Sequence, residues 1–381
     1  MNEIIINKEK NVKSVLLVNN GLLVEKYQYE VDKKDLEGNI YIGIIKDVLV
    51  GMGAAFVDIG EKRNAFIHLE EILGKGYSKQ DIKKVKVGMP ILVQVKKDEI
   101  NCKGARVVTN IQLPGRFCVF MPKENFLTIS QKIENSSEKD RLIGIVKKYL
   151  PENFGAIIRT SAINKKENEI KEDIEKLIFK WEKIKEQSNK KITKPILIHK
   201  SADVSERMII DMIDKDVERI LVNSKDLYEE IKQVLSNMSN VNVKLELKEE
   251  NLLCMYDINK SIEESEKRKI WLKCGGFITI DKTEALTAID VNSGKFVGKE
   301  NLEKTVFRVN KDASIEIAKQ IRLRDIGGII IIDYIDMHDK EHKEGIIKIL
   351  SENLKNDRAK TQIVGFTKLN LLEMTRKHLH S

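Results

Sequence analysis

The chain has 381 residues, 41% of them apolar and 33% charged, which is long enough for two or three domains and apolar enough for each to bury a core. Lys and Arg outnumber Asp and Glu by a formal charge of +8, which permits a polyanionic partner without requiring one. Four widely spaced cysteines (Cys102, Cys118, Cys254, Cys274) with no C-x-x-C pair argue against a disulfide framework or a zinc knuckle and point to a reducing, cytoplasmic setting.

The opening MNEIIINKEK has no apolar h-region, so no signal peptide is expected. The strongly apolar run GGIIII at 327–332 is too short to span a bilayer, so no membrane partner is expected either. Residues 3–7 predict a strand, and 14–30 predict a hairpin turning at Asn20-Gly21. Residues 37–110 hold about five short alternating segments, with a helical insert near Glu70–Leu73. This pattern fits a small closed barrel, most simply an OB-fold. Residues 111–202 mix short strands (FCVFM, LTIS, GAIIRT) with one long helix over about 165–188, whose apolar Ile170, Ile174, Leu177, Ile178, Trp181 and Ile184 recur at helical spacing. Residues 203–265 alternate helix and strand, and 266–381 read as a strand pair, a helix, a buried strand, a helix and a last strand. The fold class is α/β, in a multidomain α+β arrangement.

One constellation stands out. The strand-like run ALTAIDVN ends with Asp290 and Asn292, two residues apart and therefore on one face. A helix over about 300–324 follows, with Val306, Val309, Ala313, Ile317 and Ile321 toward the core. Then comes GGIIIIDYIDM, whose apolar run predicts a strand buried on both faces, with Asp333 near its end. A strand–helix–strand unit makes the two strands parallel, so Asp290 and Asp333 emerge at the same sheet edge. Two adjacent carboxylates repel unless a proton or cation lies between them, and Mg²⁺ suits a site with few protein ligands. Asn292 then orients Asp290. The plainer alternative is that these acids cap helices or pair with Lys and Arg; Asp336 is either a supporting acid or a loop charge.

TEALTAIDVNSGK (283–295), RLRDIGGIIIIDYIDM (322–337) and LLEMTRK (371–377) resemble the catalytic signatures of the ribonuclease E/G family. GNIYIGIIKDVLVGMGAAFVDIG (38–60) resembles the family's OB-fold RNA-binding domain, with wording closer to the ribonuclease G branch. GRFCVFMP (115–122) and GAIIRTSA (155–162) resemble its 5′-end sensor. The resemblance implies a ribonuclease H-like subdomain (1–36 with 203–265), an OB-fold (37–110), a 5′-sensor (111–202) and a DNase I-like catalytic subdomain (266–381). It implies a Mg²⁺-dependent endoribonuclease acting on single-stranded RNA in rRNA maturation or mRNA decay, leaving 5′-phosphate and 3′-hydroxyl ends.

By the same resemblance, Asp290 and Asp333 are the Mg²⁺ ligands and Asn292 their support. Arg159 and Thr160 grip a 5′-monophosphate, with Gly115 and Val119 completing the pocket. Phe56 and Phe66 stack on bases, and Lys103 faces RNA. Read from pattern alone, the two phenylalanines fit barrel core equally well. Two departures are visible. The family's C-P-x-C zinc link is not found in these residues, so the resemblance implies a homodimer only by another route. Gln131 and Lys132 stand where the family has an arginine beside the sensor. The rival functions are a non-catalytic single-stranded RNA-binding relative and a structural assembly factor. The motif H-x-x-E-H at 338–342 matches an inverted zinc-protease pattern, but in its polar surroundings it predicts a solvated helix start.

Overall fold

A computed structural model describes residues 2–31, 35–99, 104–189, 192–202, 204–213, 217–236, 238, 241–294, 302–355 and 357–379; Lys103 and Cys102 lie outside the described residues. The chain divides into two compact units: Met1–Asp32 with Lys215–Leu235 and Asn242–Ser381, and Lys33–Asp214 with Ser236–Val241.

In the second unit, the strands Ile40–Leu49, Ala54–Asp58, Ala65–His68, Arg106–Val108 and Pro90–Lys97 pair in that order. The first also pairs antiparallel with the last, and this pairing closes the barrel. Alternation puts Ala55, Val57, Ala65, Ile67, Val93, Val95 and Val107 inside. Gly43 is required by close approach, since a Cβ there would lie 2.3 Å from Val57 Cγ1. The expected helical insert is Leu69–Leu73, followed by the single turn Lys79–Ile82 with a Ser78–Asp81 capping box. A sixth strand, Ile196–His199, adds antiparallel to Ile40–Leu49.

The same unit holds a four-stranded sheet ordered Leu127–Ile129, Gly155–Ile158, Cys118–Met121, Leu113–Pro114. The helix Glu167–Ser188 packs on it through Ile170, Ile174, Leu177, Trp181 and Ile184, as the spacing predicts. A second helix, Ser136–Tyr149, is not anticipated by the sequence reading, because only Leu142, Ile145 and Val146 of its fourteen residues are buried. Its first turn is capped by Asn135, whose side chain accepts a hydrogen bond from the Glu138 amide. The helix Val204–Met212 also belongs to this unit.

The first unit contains two sheets. One has five strands ordered Lys244–Leu247, Val217–Val222, Asn2–Glu9, Val12–Asn19, Leu22–Glu30, the first three mutually parallel. Its hairpin turns at Asn20 and Gly21, both at positive φ, as the Asn-Gly pair predicts. The other has six strands ordered Lys269–Trp271, Phe277–Lys282, Leu286–Asn292, Gly328–Asp333, Leu371–Arg376, Thr361–Phe366. The helices Leu302–Leu323 and Lys340–Leu354 pack on one face, burying Val309, Ala313, Ile317, Ile321, Ile346 and Leu350 against Ile278, Ile289, Ile330 and Ile332.

Two expectations need correction here. Gly328–Asp333 is not buried on both faces: Ile330 and Ile332 are fully buried but Ile329 is 50% exposed, because the helices cover only one side. The single last strand is instead a hairpin, and its second arm inserts beside Gly328–Asp333. His338–His342 is a helix start, as expected: Asp339 caps Lys340–Leu354 by accepting from the Glu341 amide at 2.8 Å.

Candidate active site

The strands Leu286–Asn292 and Gly328–Asp333 are adjacent and parallel, and Asp290 and Asp333 occupy the same pairing position. The intervening helix makes the connection that parallel strands need, and both carboxylates project from the face that the helices leave uncovered. Asn292 lies on that face too, and its Nδ2 donates to Asp290 Oδ2 at 2.5 Å. Burial, and then the negative charges of Asp290 and Asp336, hold the Asp333 carboxyl above the usual range. Asp336 accepts a long hydrogen bond from Asn370 Nδ2 at 3.4 Å, and Asn370 in turn accepts from Lys343 at 2.8 Å. Two strands along, Arg268 forks onto Asp281 at 2.5 and 2.7 Å. Among the described residues, no three His, Cys, Asp or Glu are grouped to hold a metal ion. The carboxylate pair offers hard oxygen donors with few protein ligands, which fits a largely hydrated Mg²⁺.

In the second unit, Gly115, Val119 and Arg159 line one cavity of about 290 Å³, together with Lys180, His199, Arg207 and Asp211. Thr160 is not among the lining residues; it is exposed and begins the single turn Thr160–Ala162. The Arg159 guanidinium donates to the Gly115 carbonyl at 2.8 Å and forms an ion pair with Asp211. Asp173 fixes the loop at Gly115, accepting from the amides of Arg116 (3.1 Å) and Phe117 (2.9 Å). A Cβ at residue 115 would meet Asp173 Oδ2 at 2.6 Å and Leu177 Cδ1 at 2.7 Å, so any larger residue would displace the carboxylate that holds this loop. Burial, and then the Lys180 charge, lower the His199 pKa to about 4. Asp173, Lys180, His199 and Asp211 are absent from the sequence-derived site, since nothing in their spacing links them to Arg159.

Phe56 and Phe66 are paired residues on neighbouring barrel strands, half-buried and pointing away from the core, with ring centroids 6.3 Å apart. This excludes the core reading. His68 shares their face, its ring edge-on to Phe66 at 4.8 Å.

A closed barrel and an α/β sheet with a strand-end acid pair define a multidomain protein with an acidic centre on its sheet. The family model described as the Ribonuclease E/G family matches residues 112–379. Ribonuclease G of Escherichia coli (strain K12) is 38% identical, the match covering 98% of this chain and 79% of that protein. Ribonuclease G of Haemophilus influenzae gives the same identity and coverage. Ribonuclease E of Nostoc sp. is 37% identical over 89% of this chain and 51% of that protein. The chain belongs to the ribonuclease E/G family. No helix among the described residues is long and apolar enough to cross a membrane.

Proposed function

We propose that this protein is a Mg²⁺-dependent cytoplasmic endoribonuclease that hydrolyses phosphodiester bonds in single-stranded RNA, in rRNA maturation or mRNA decay, leaving 5′-phosphate and 3′-hydroxyl ends. The observation behind this reading is the in-register Asp290–Asp333 pair with Asn292 bonded to it, in a chain of the ribonuclease E/G family. Asp290 and Asp333 would hold the ion, and Asn292 fixes the Asp290 carboxylate so that its other oxygen stays available. A bound Mg²⁺ supplies Lewis-acid charge to the phosphodiester oxygens. Phe56 and Phe66 offer rings to single-stranded bases, a sequence-tolerant mode of binding, and Lys103 has the same role by resemblance alone. Arg159, with Gly115 and Val119 in the same cavity, serves a 5′-monophosphate, for which a guanidinium gives a charge-assisted fork, and Thr160 has that role by resemblance alone.

The test is a short single-stranded RNA bearing either a 5′-monophosphate or a 5′-hydroxyl, incubated with the protein and Mg²⁺. EDTA and Asp290→Asn serve as controls. Faster cutting of the monophosphate form, abolished by both controls, is expected. Tight binding with no cutting would leave a non-catalytic RNA-binding relative.

A further inference from the structure

The uncovered face of the six-stranded sheet carries more than the acids. Pairing continues in one row from Lys269 through Thr279 to Asp290 and Asp333. A second row runs from Trp271 through Phe277 to Asn292. All of these side chains lie on the same face, because paired residues in a sheet share one. Strands are roughly 4.8 Å apart, so Lys269 stands about 10 Å from Asp290 along its row.

Three side chains at this end of the sheet form one cluster. Trp271 is 62% exposed, an unusual fate for the largest apolar side chain. Its ring stands edge-on to Phe277, centroids 5.4 Å apart. The Lys269 ammonium lies 3.6 Å from the Phe277 centroid and 4.2 Å from that of Trp271. The rings hold the cation in place while leaving it at the surface.

We propose that Trp271, Phe277 and Lys269 form a nucleobase platform beside the acid pair, on which a base close to the scissile phosphate stacks while Lys269 meets the charge of the RNA backbone. An exposed indole offers a stacking surface to any base, and a fixed cation beside it suits the phosphate that follows that base. Continuity of both rows with Asp290 and Asn292 selects single-stranded RNA as the occupant. The platform would hold the strand in register with the reacting phosphate. The inference rests on the endoribonuclease reading above.

The chain has two tryptophans, and the other, Trp181, is only 7% exposed and out of reach of a stacking base, so a change of indole emission on RNA binding reports on Trp271. Titrating the Asp290→Asn protein with a short single-stranded RNA, followed both by anisotropy of a label on the RNA and by indole emission, reads binding without cleavage. Quenching that tracks binding, and that disappears in Trp271→Phe, is expected. In the active protein, Trp271→Ala should raise KM roughly tenfold, Trp271→Phe should restore most of it, and Lys269→Ala should weaken the salt dependence of binding. A scan of single abasic nucleotides should find one position whose loss costs as much as Trp271→Ala, and costs nothing further in that variant. RNA that binds and is cut with unchanged Trp271 emission, and with full abasic sensitivity in Trp271→Ala, would overturn the platform and leave the endoribonuclease reading standing. No binding and no cutting would overturn both.

Discussion

Asp290 and Asp333 face each other at one pairing position of two adjacent parallel strands, 43 residues apart in sequence and side by side in the sheet. Such a pair is electrostatically unfavourable without a cation, and that predicts a separation of stability from activity. Asp290→Asn and Asp333→Asn should each abolish cleavage, yet neither should lower the melting temperature in EDTA, because each removes a like-charge repulsion. Circular-dichroism melts with and without Mg²⁺ check this. Mg²⁺ should raise the wild-type melting temperature and leave both variants unmoved.

Asn292 acts on Asp290 through a single hydrogen bond. Asn292→Ala leaves both carboxylates in place but frees Asp290 to rotate. A loss of roughly 10- to 100-fold in activity or in Mg²⁺ affinity is expected. Steady-state kinetics across a Mg²⁺ titration will show whether added metal recovers part of it.

The Arg159 fork is already engaged by Asp211. An arriving 5′-phosphate must compete with that carboxylate. Asp211→Asn should therefore lower KM for 5′-monophosphate RNA severalfold while leaving the 5′-hydroxyl substrate unchanged. Arg159→Ala should remove the preference between the two. Competition kinetics on a mixed substrate measure both effects.

Arg376, in the LLEMTRK motif, is not a site residue. Its buried guanidinium bonds Asp357 at 2.7 Å and Asp325 at 2.6 Å. Arg376→Met would strand two carboxylates, one of them fully buried, at a cost of about 3–5 kcal/mol. Urea unfolding should register the loss, while activity per folded molecule stays near wild type.

His199 titrates near pH 4 in the folded chain against an ordinary 6.5. A lowered folded-state pKa means that its contribution to stability is present above pH 6.5 and is lost as pH falls toward 4, since the unfolded chain takes up the proton first. Urea midpoints measured between pH 7.5 and 5 should fall less steeply in His199→Gln than in wild type.

Much of the site was legible because chemistry and local pattern coincide. The run ALTAIDVN, a helix and GGIIIID are enough to make two strands parallel and to bring Asp290 and Asp333 to one edge. Strand alternation put Asn292 on the same face as Asp290. The Asn20-Gly21 hairpin followed from residue type, since both positions take positive φ. The apolar run at 328–333 suggests burial on both faces although only one is covered, because four consecutive isoleucines look the same in either case.

The sequence by itself determined most of the elements, though not the helix Ser136–Tyr149 or the closing hairpin, and it determined the acid pair and the motifs of the family, since these depend on local periodicity and on residues that carry their own chemistry. Tertiary structure alone decided which faces remain open and which distant groups meet. Asp211 reaches Arg159 across 52 residues. Phe56 and Phe66 turn outward from the barrel, and Lys269 enters the row of Asp290 only through two strand pairings. Burial and electrostatic contact are properties of the packed chain, and no local pattern encodes which surfaces packing will leave uncovered.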